Sequence, residues 1–186
     1  VTMGEGGTPL FRAENVGMML GLHHLYVKDE RQGPTGSFKD RQASLAISVL
    51  REMGVTEAVL ASTGNVAISY SAYSTHSGIK LWAFLPSMVP AEKMREIALY
   101  GTQVIKVTGT YDQAKQVAAG FVQTQGLHYD RGFKSIAARE SMKTLGFEVA
   151  EQLTDMLGAP GDAPLRTPDW YLQAVSGGMG PVGFWK

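Results

Sequence analysis

Lys39 is the residue in this sequence best placed to act as a nucleophile. It lies in the run VKDERQGPTGSFKDR, residues 27–41, where Ser37 is followed three positions later by Asp40. That spacing is a capping-box variant and predicts a helix that begins at Ser37, with Lys39 in its first turn. The aligned peptide dipoles place positive charge at that end, so a further ammonium charge is disfavoured and the amine is pushed toward its neutral form. A neutral amine is what condensation with an aldehyde to a Schiff base requires. A lysine met alone on an amphipathic helix is usually a solvated charge, so its surroundings decide the reading.

Two other segments have the composition of anion-binding loops. Ser62, Thr63, Gly64 and Asn65 follow the apolar run EAVLA, and Ser176, Gly177, Gly178, Met179 and Gly180 follow WYLQAV. Glycine and small polar residues let backbone N–H groups approach an anion, and a helix start behind them adds its positive end. Asn65 in isolation reads as a turn residue after glycine. Residues 178–183 also satisfy G-x-G-x-x-G. That fingerprint opens a βαβ unit and wants an acidic residue about twenty positions on, which the sequence through Lys186 does not offer. His23, His24, His76 and His128 have no metal-ligand spacing, and no metal is expected.

The elements that must carry these loops follow from periodicity and punctuation. Strands are predicted at 57–61, 80–85, 103–107, 127–129 and 170–175, and helices from 37, to about 76, over 91–100, over 111–125 and over 139–157. Pro90 and Gly101 bracket the third helix, and Thr110 caps the fourth. A Gly/Pro-rich loop is expected at 158–169. This alternation predicts an α/β fold with mostly parallel sheet, where ligands gather beyond the carboxyl ends of strands. Both glycine-rich loops fall at such ends.

Composition excludes several classes. Hydrophobic residues make up 44% of 186, enough for a packed core. Seventeen basic residues balance seventeen acidic ones with no basic block, so no nucleic-acid partner is expected. There is no cysteine, hence no disulfide and no thiolate metal site. No apolar run approaches the roughly 18 residues of a membrane helix, and no signal-peptide pattern opens the chain. A cytoplasmic protein without membrane partners is the expectation.

Four segments in order resemble the fold-type II enzymes dependent on pyridoxal 5′-phosphate (PLP), and the threonine synthase family most closely. They are GEGGTPL at 4–10, PTGSFKDR at 34–41, ASTGN at 61–65 and SGGMG at 176–180. The resemblance spans nearly the whole chain. It implies that Lys39 holds PLP as a Schiff base and moves protons, and that Asn65 hydrogen-bonds the 3′-oxygen of the pyridine ring. It implies that Ser62, Thr63 and Gly64 help hold the substrate carboxylate. Ser176, Gly177, Gly178, Met179 and Gly180 would cradle the cofactor phosphate. SIAARESMKT, residues 135–144, is similar to the segment that meets the substrate's phosphate once a one-residue gap is allowed, which implies Ser135 and Arg139 in that role.

The activity so implied is conversion of O-phospho-L-homoserine and water to L-threonine and phosphate. SFKDR and GEGGTPL favour this over threonine dehydratase. Cysteate synthases are close relatives, and a PLP- or partner-binding fragment without turnover is the rival from another class. The fold implied has two open, mostly parallel sheets flanked by helices. A larger cofactor-anchoring domain would comprise 1–50 and 146–186, with a smaller α/β domain at 51–145. The larger domain is expected to be incomplete, since the family carries a further C-terminal portion with a late Ser or Thr at the pyridine nitrogen. A homodimer is expected of the complete protein, and poor catalysis of these 186 residues alone.

Overall fold

The computed structural model describes the chain from Val1 to Lys186, apart from residues 159, 160, 162 and 163 and the side chain of residue 133. Part of the loop expected at 158–169 lies outside the described residues. The chain opens with β1 (Leu10–Arg12), α1 (Glu14–Leu20) and β2 (Tyr26–Lys28), in which β1 and β2 form an antiparallel pair. Then come α2 (Lys39–Glu52), β3 (Glu57–Ala61), α3 (Asn65–Ser77), β4 (Lys80–Pro86), α4 (Ala91–Leu99), β5 (Gln103–Val107), α5 (Tyr111–Gln125) and β6 (His128–Asp130). Next are α6 (Ile136–Glu140), α7 (Lys143–Met156) and α8 (Met179–Trp185). No described helix is long and apolar enough to cross a membrane.

Strands β3 to β6 form one parallel sheet in the order β5-β4-β3-β6, with Val59 opposite Trp82 and Tyr129, and Phe84 opposite Ile105. The chain steps outward from β3 through β4 to β5, then crosses back to place β6 on the other side of β3. That reversal opens a crevice at the carboxyl end of β3, where parallel sheets bind ligands. Helices cover both faces, as parallel sheets require. On one face Leu60, Leu81 and Leu85 pack with Ala43, Ile47 and Leu50 of α2, Tyr70 and Tyr73 of α3, and Ile97 of α4. On the other, Val59 and Phe84 meet Ala118 and Phe121 of α5, with ring centroids of Phe84 and Phe121 5.4 Å apart. Helix α3 buries every residue from 67 to 74 because it is enclosed between α2 and the sheet. Its buried Ser71 satisfies its hydroxyl on the Ala67 carbonyl at 2.7 Å.

Three expectations change. Helix α2 begins at Lys39 rather than Ser37, because the Asp40 carboxylate turns back to Thr35, accepting from its N–H at 2.8 Å and from its hydroxyl, instead of closing a capping box. The helix expected over 139–157 starts earlier and breaks at Ser141 and Met142. There the hydroxyls of Ser141 and Thr144 take the carbonyls of Ala138 and Ser141, and the backbone tightens to bonds three residues apart. Residues 170–175 form no strand, since none of the described strands pairs with them to take their backbone hydrogen bonds. The capping box at Thr110 is present, with Gln113 as its reciprocal partner.

Candidate active site

Lys39 is the first residue of α2 and only 9% exposed. Burial lowers its pKa, because an ammonium that loses water without gaining a counter-charge gives up its proton more readily. No carboxylate pairs with it among the described residues; its Nζ lies 4.1 Å from the centroid of the Phe38 ring. The loop before it is fixed by its own side chains. Ser37 Oγ accepts from the Lys39 N–H at 3.4 Å, and Thr35 Oγ1 lies 2.8 Å from Ser69 Oγ of α3. A Cβ on Gly33 would stand 2.8 Å from Asp40 Oδ2, so glycine there makes room for that carboxylate.

Beneath α2 is a polar network that sequence reasoning did not single out. Arg41, with a side chain only 3% exposed, donates to Glu30 at 2.8 Å and to Glu148 of α7 at 2.7 and 2.8 Å. Lys28 donates to Glu148 at 2.8 Å, to Gln152 at 2.8 Å and to the Thr8 carbonyl at 2.6 Å. Gly7 N–H reaches Glu148 at 3.0 Å, and a Cβ on Gly6 would stand 2.7 Å from the same carboxylate. This accounts physically for much of the GEGGTPL segment: Gly6 and Gly7 lie against Glu148, and Thr8 lies against Glu30 and Arg41. Burial pushes the Glu148 carboxyl up, but Arg41, Lys28 and the Gly7 N–H outweigh it and hold the pKa at about 2. A glutamate and a glutamine four apart on an otherwise amphipathic helix were the only sequence signal for α7's part.

One turn beyond Lys39, Gln42 Nε2 donates to the Tyr70 hydroxyl at 3.2 Å, and Tyr70 donates to Asp130 at the end of β6 at 3.1 Å. Burial raises the Asp130 carboxyl above its ordinary value despite hydrogen bonds from the Gly132 N–H and Tyr70. The relay ties α2 through α3 to the sheet.

The asparagine loop sits at the crevice. Ser62 is buried and its Oγ accepts from the Gly64 N–H at 3.2 Å, while Thr63 is exposed. Asn65 starts α3, and its Oδ1 accepts from Lys93 of α4 at 3.0 Å. The serine–glycine loop leads into α8. Met179 packs with Phe38, Ala138 and Met142, which places the start of α8 beside the residue preceding Lys39. Gly178 takes a left-handed φ of +81°, and space is open around Gly177 and Gly178. Among the described residues, no hydrogen bond uses the N–H groups of Ser176, Gly177, Gly178, Met179 or Gly180. Ser135 caps α6, accepting from the Ala138 N–H at 3.3 Å, and Arg139 lies on the same short helix. A Cβ on Gly183 would stand 2.2 Å from Met142 Cβ and 2.8 Å from the Arg139 carbonyl, so α6 and α8 meet at that glycine. Phe38 beside Lys39, the start of α8 and α6 are therefore gathered by direct packing; the asparagine loop is linked to α2 through α3.

This donor set fits PLP. A buried amine with a lowered pKa suits the aldehyde, and a glycine loop with uncommitted N–H groups suits a phosphate.

Comparison with known proteins agrees. The chain is 38% identical over 187 residues to a threonine synthase from Methanocaldococcus jannaschii, covering 100% of this chain and 44% of that protein. It spans less than half the length of that relative. Its fold superposes on a pyridoxal 5′-phosphate-dependent aspartate racemase with a TM-score of 0.74 and 27% identity, over 80% of this chain and 46% of the other. On fold alone it also matches an O-ureido-L-serine synthase, with a TM-score of 0.79 at 20% identity over 96% of this chain and 54% of that one. The α/β architecture is that of fold-type II PLP enzymes. Residues 1–186 match the family described as pyridoxal-phosphate dependent enzyme, whose cofactor is PLP, and the chain belongs to it.

Proposed function

We propose that the protein carrying this sequence is a PLP-dependent lyase that converts O-phospho-L-homoserine and water to L-threonine and phosphate. The observation that carries this reading is Lys39: a buried amine of lowered pKa, whose neighbour Phe38 packs on the glycine loop, in a chain 38% identical to a threonine synthase. When bound, PLP supplies an electron sink for charge that develops on the substrate. The chain supplies the rest. The Lys39 amine would hold the cofactor's aldehyde, and as a free amine it would take and return protons at the substrate carbons, which a pKa below the ordinary lysine value favours. The N–H groups of residues 176–180 hold one phosphate. Ser135 and Arg139 hold the substrate's phosphate, with the guanidinium giving paired donors. Ser62, Thr63 and Gly64 receive the substrate carboxylate, and Asn65 donates to the ring 3′-oxygen.

The same reading assigns 51–145 to a smaller domain that closes on a cofactor-anchoring one formed by 1–50 and 146–186. It makes the complete protein a cytoplasmic homodimer. Phosphate release by the complete protein, with O-phospho-L-homoserine, O-phospho-L-serine and L-threonine compared, tests the substrate. Release from the first, with L-threonine as product, is expected. Preference for phosphoserine would point to cysteate synthase chemistry, and ammonia from L-threonine to a dehydratase; either would overturn the assignment.

A further inference from the structure

Asn65 has a partner to which the proposed chemistry gives no role. Lys93, in the first turn of α4 and 28 positions away in sequence, donates from Nζ to Asn65 Oδ1 at 3.0 Å. The same Nζ lies 3.2 Å from the point where a Cβ on Gly64 would stand. Any side chain at position 64 would press on the lysine, so glycine leaves it this place. No carboxylate pairs with Lys93 among the described residues, although Glu92 and Glu96 lie on its own helix. Lys93 is partly exposed, and its hydrogen bond to Asn65 joins the starts of α3 and α4 across the mouth of the crevice.

An asparagine amide has two unlike ends, an accepting oxygen and a donating NH2. An ammonium group only donates, so it can face only the oxygen. With Lys93 on Oδ1, the amide is fixed with its NH2 directed away from α4. Rotated the other way, it would set NH2 against the ammonium and present its oxygen to the site. We infer that Lys93 is a positioning residue: it locks the Asn65 amide so that its N–H groups, and not its oxygen, meet the anionic 3′-oxygen of PLP. The inference rests on the proposed contact between Asn65 and the ring, and deepens it. Lys93 itself touches neither cofactor nor substrate; it acts through Asn65.

The test is a double-mutant cycle in the complete holoenzyme, using Lys93→Met, Asn65→Ala and the pair, with Lys93→Arg as the conservative variant. Three quantities are read: the visible absorption band of bound PLP, the pH at which that band titrates, and PLP affinity by fluorescence titration. Asn65→Ala is expected to displace the band and weaken PLP binding by roughly threefold to tenfold, about the worth of one hydrogen bond. Lys93→Met should move both in the same direction by a smaller amount. In the Asn65→Ala background it should move neither, because its route is gone. Lys93→Arg, also donor-only, should restore the wild-type band. Both side chains reach solvent, so melting of the cofactor-free variants is expected to match wild type. A wild-type spectrum in Lys93→Met, with Asn65→Ala clearly shifted, would overturn the inference and leave the proposed site intact. Additive effects in the double variant would also overturn it, since Lys93 would then act directly on a ligand. An unshifted Asn65→Ala protein would remove the contact between Asn65 and the ring, and the inference with it.

Discussion

At the scale of residues, Arg41 ties the first turn of α2, where Lys39 lies, to the network beneath it. It lies two places beyond Lys39 and carries the bonds to Glu30 and Glu148. Lys28 and Arg41 balance Glu30 and Glu148 in charge, which is what makes the buried network tolerable. Arg41→Met leaves two carboxylates facing each other without their shared cation. A loss of roughly 3–5 kcal/mol is expected by urea denaturation, the cost of breaking a buried ion pair from one side. A loss below 1 kcal/mol would show that water satisfies the network instead. The Glu148 carboxyl has a folded pKa of about 2, below its ordinary 4.5. A depressed carboxyl stabilises fully above its unfolded pKa and loses that contribution as pH falls through the folded one. Stability should therefore drop between pH 4.5 and about 2, and Glu148→Gln should flatten that drop while lowering stability at neutral pH. An equal slope in the variant would remove Glu148 from the account. Lys39 was legible because its motif is contiguous. Lys93 and Glu148 were not, because each acts on a residue that only folding brings near.

At the scale of elements, the contact between α6 and α8 links the proposed cofactor-phosphate loop to the proposed substrate-phosphate residues. Gly183→Val pushes a side chain into Met142 and the Arg139 carbonyl, and the backbone oxygen cannot step aside as a side chain could. A destabilisation of about 1–3 kcal/mol is expected from overpacking, together with weaker PLP binding as α8 shifts. Gly120→Ala on the exposed side of α5, where space is open and φ is not left-handed, is the control and should bind PLP as wild type does. Equal PLP affinity in both variants would separate α8 from the cofactor. Strands β3, β4 and β5 were legible as short apolar runs between turn signals. The break at Ser141 and Met142 was not, since no glycine or proline marks it and serine and threonine hydroxyls bond helix carbonyls without always breaking a helix.

At the scale of the whole molecule, the parallel sheet is well covered and the segment that follows α7 is not. Trp170, Leu172 and Trp185 are 87%, 90% and 91% exposed, and the run 170–175 makes no ladder. Exposed apolar residues beside unpaired backbone invite pairing with another chain. A polypeptide of these 186 residues by itself is expected to self-associate as concentration rises, seen by light scattering. A monodisperse monomer at high concentration would contradict this. The run WYLQAV has strand composition, so its propensity was legible; a strand also needs a neighbour, which composition does not supply.

The proposed function turns on the Lys39 amine as the point of cofactor attachment. Reducing the PLP-loaded protein with borohydride and mapping its peptides by mass tests that directly. The pyridoxyl mass is expected on the peptide containing Lys39, and Lys39→Ala should carry none while melting as wild type does. The label on Lys28 or Lys143, or no label on a protein that has bound PLP, would contradict the assignment.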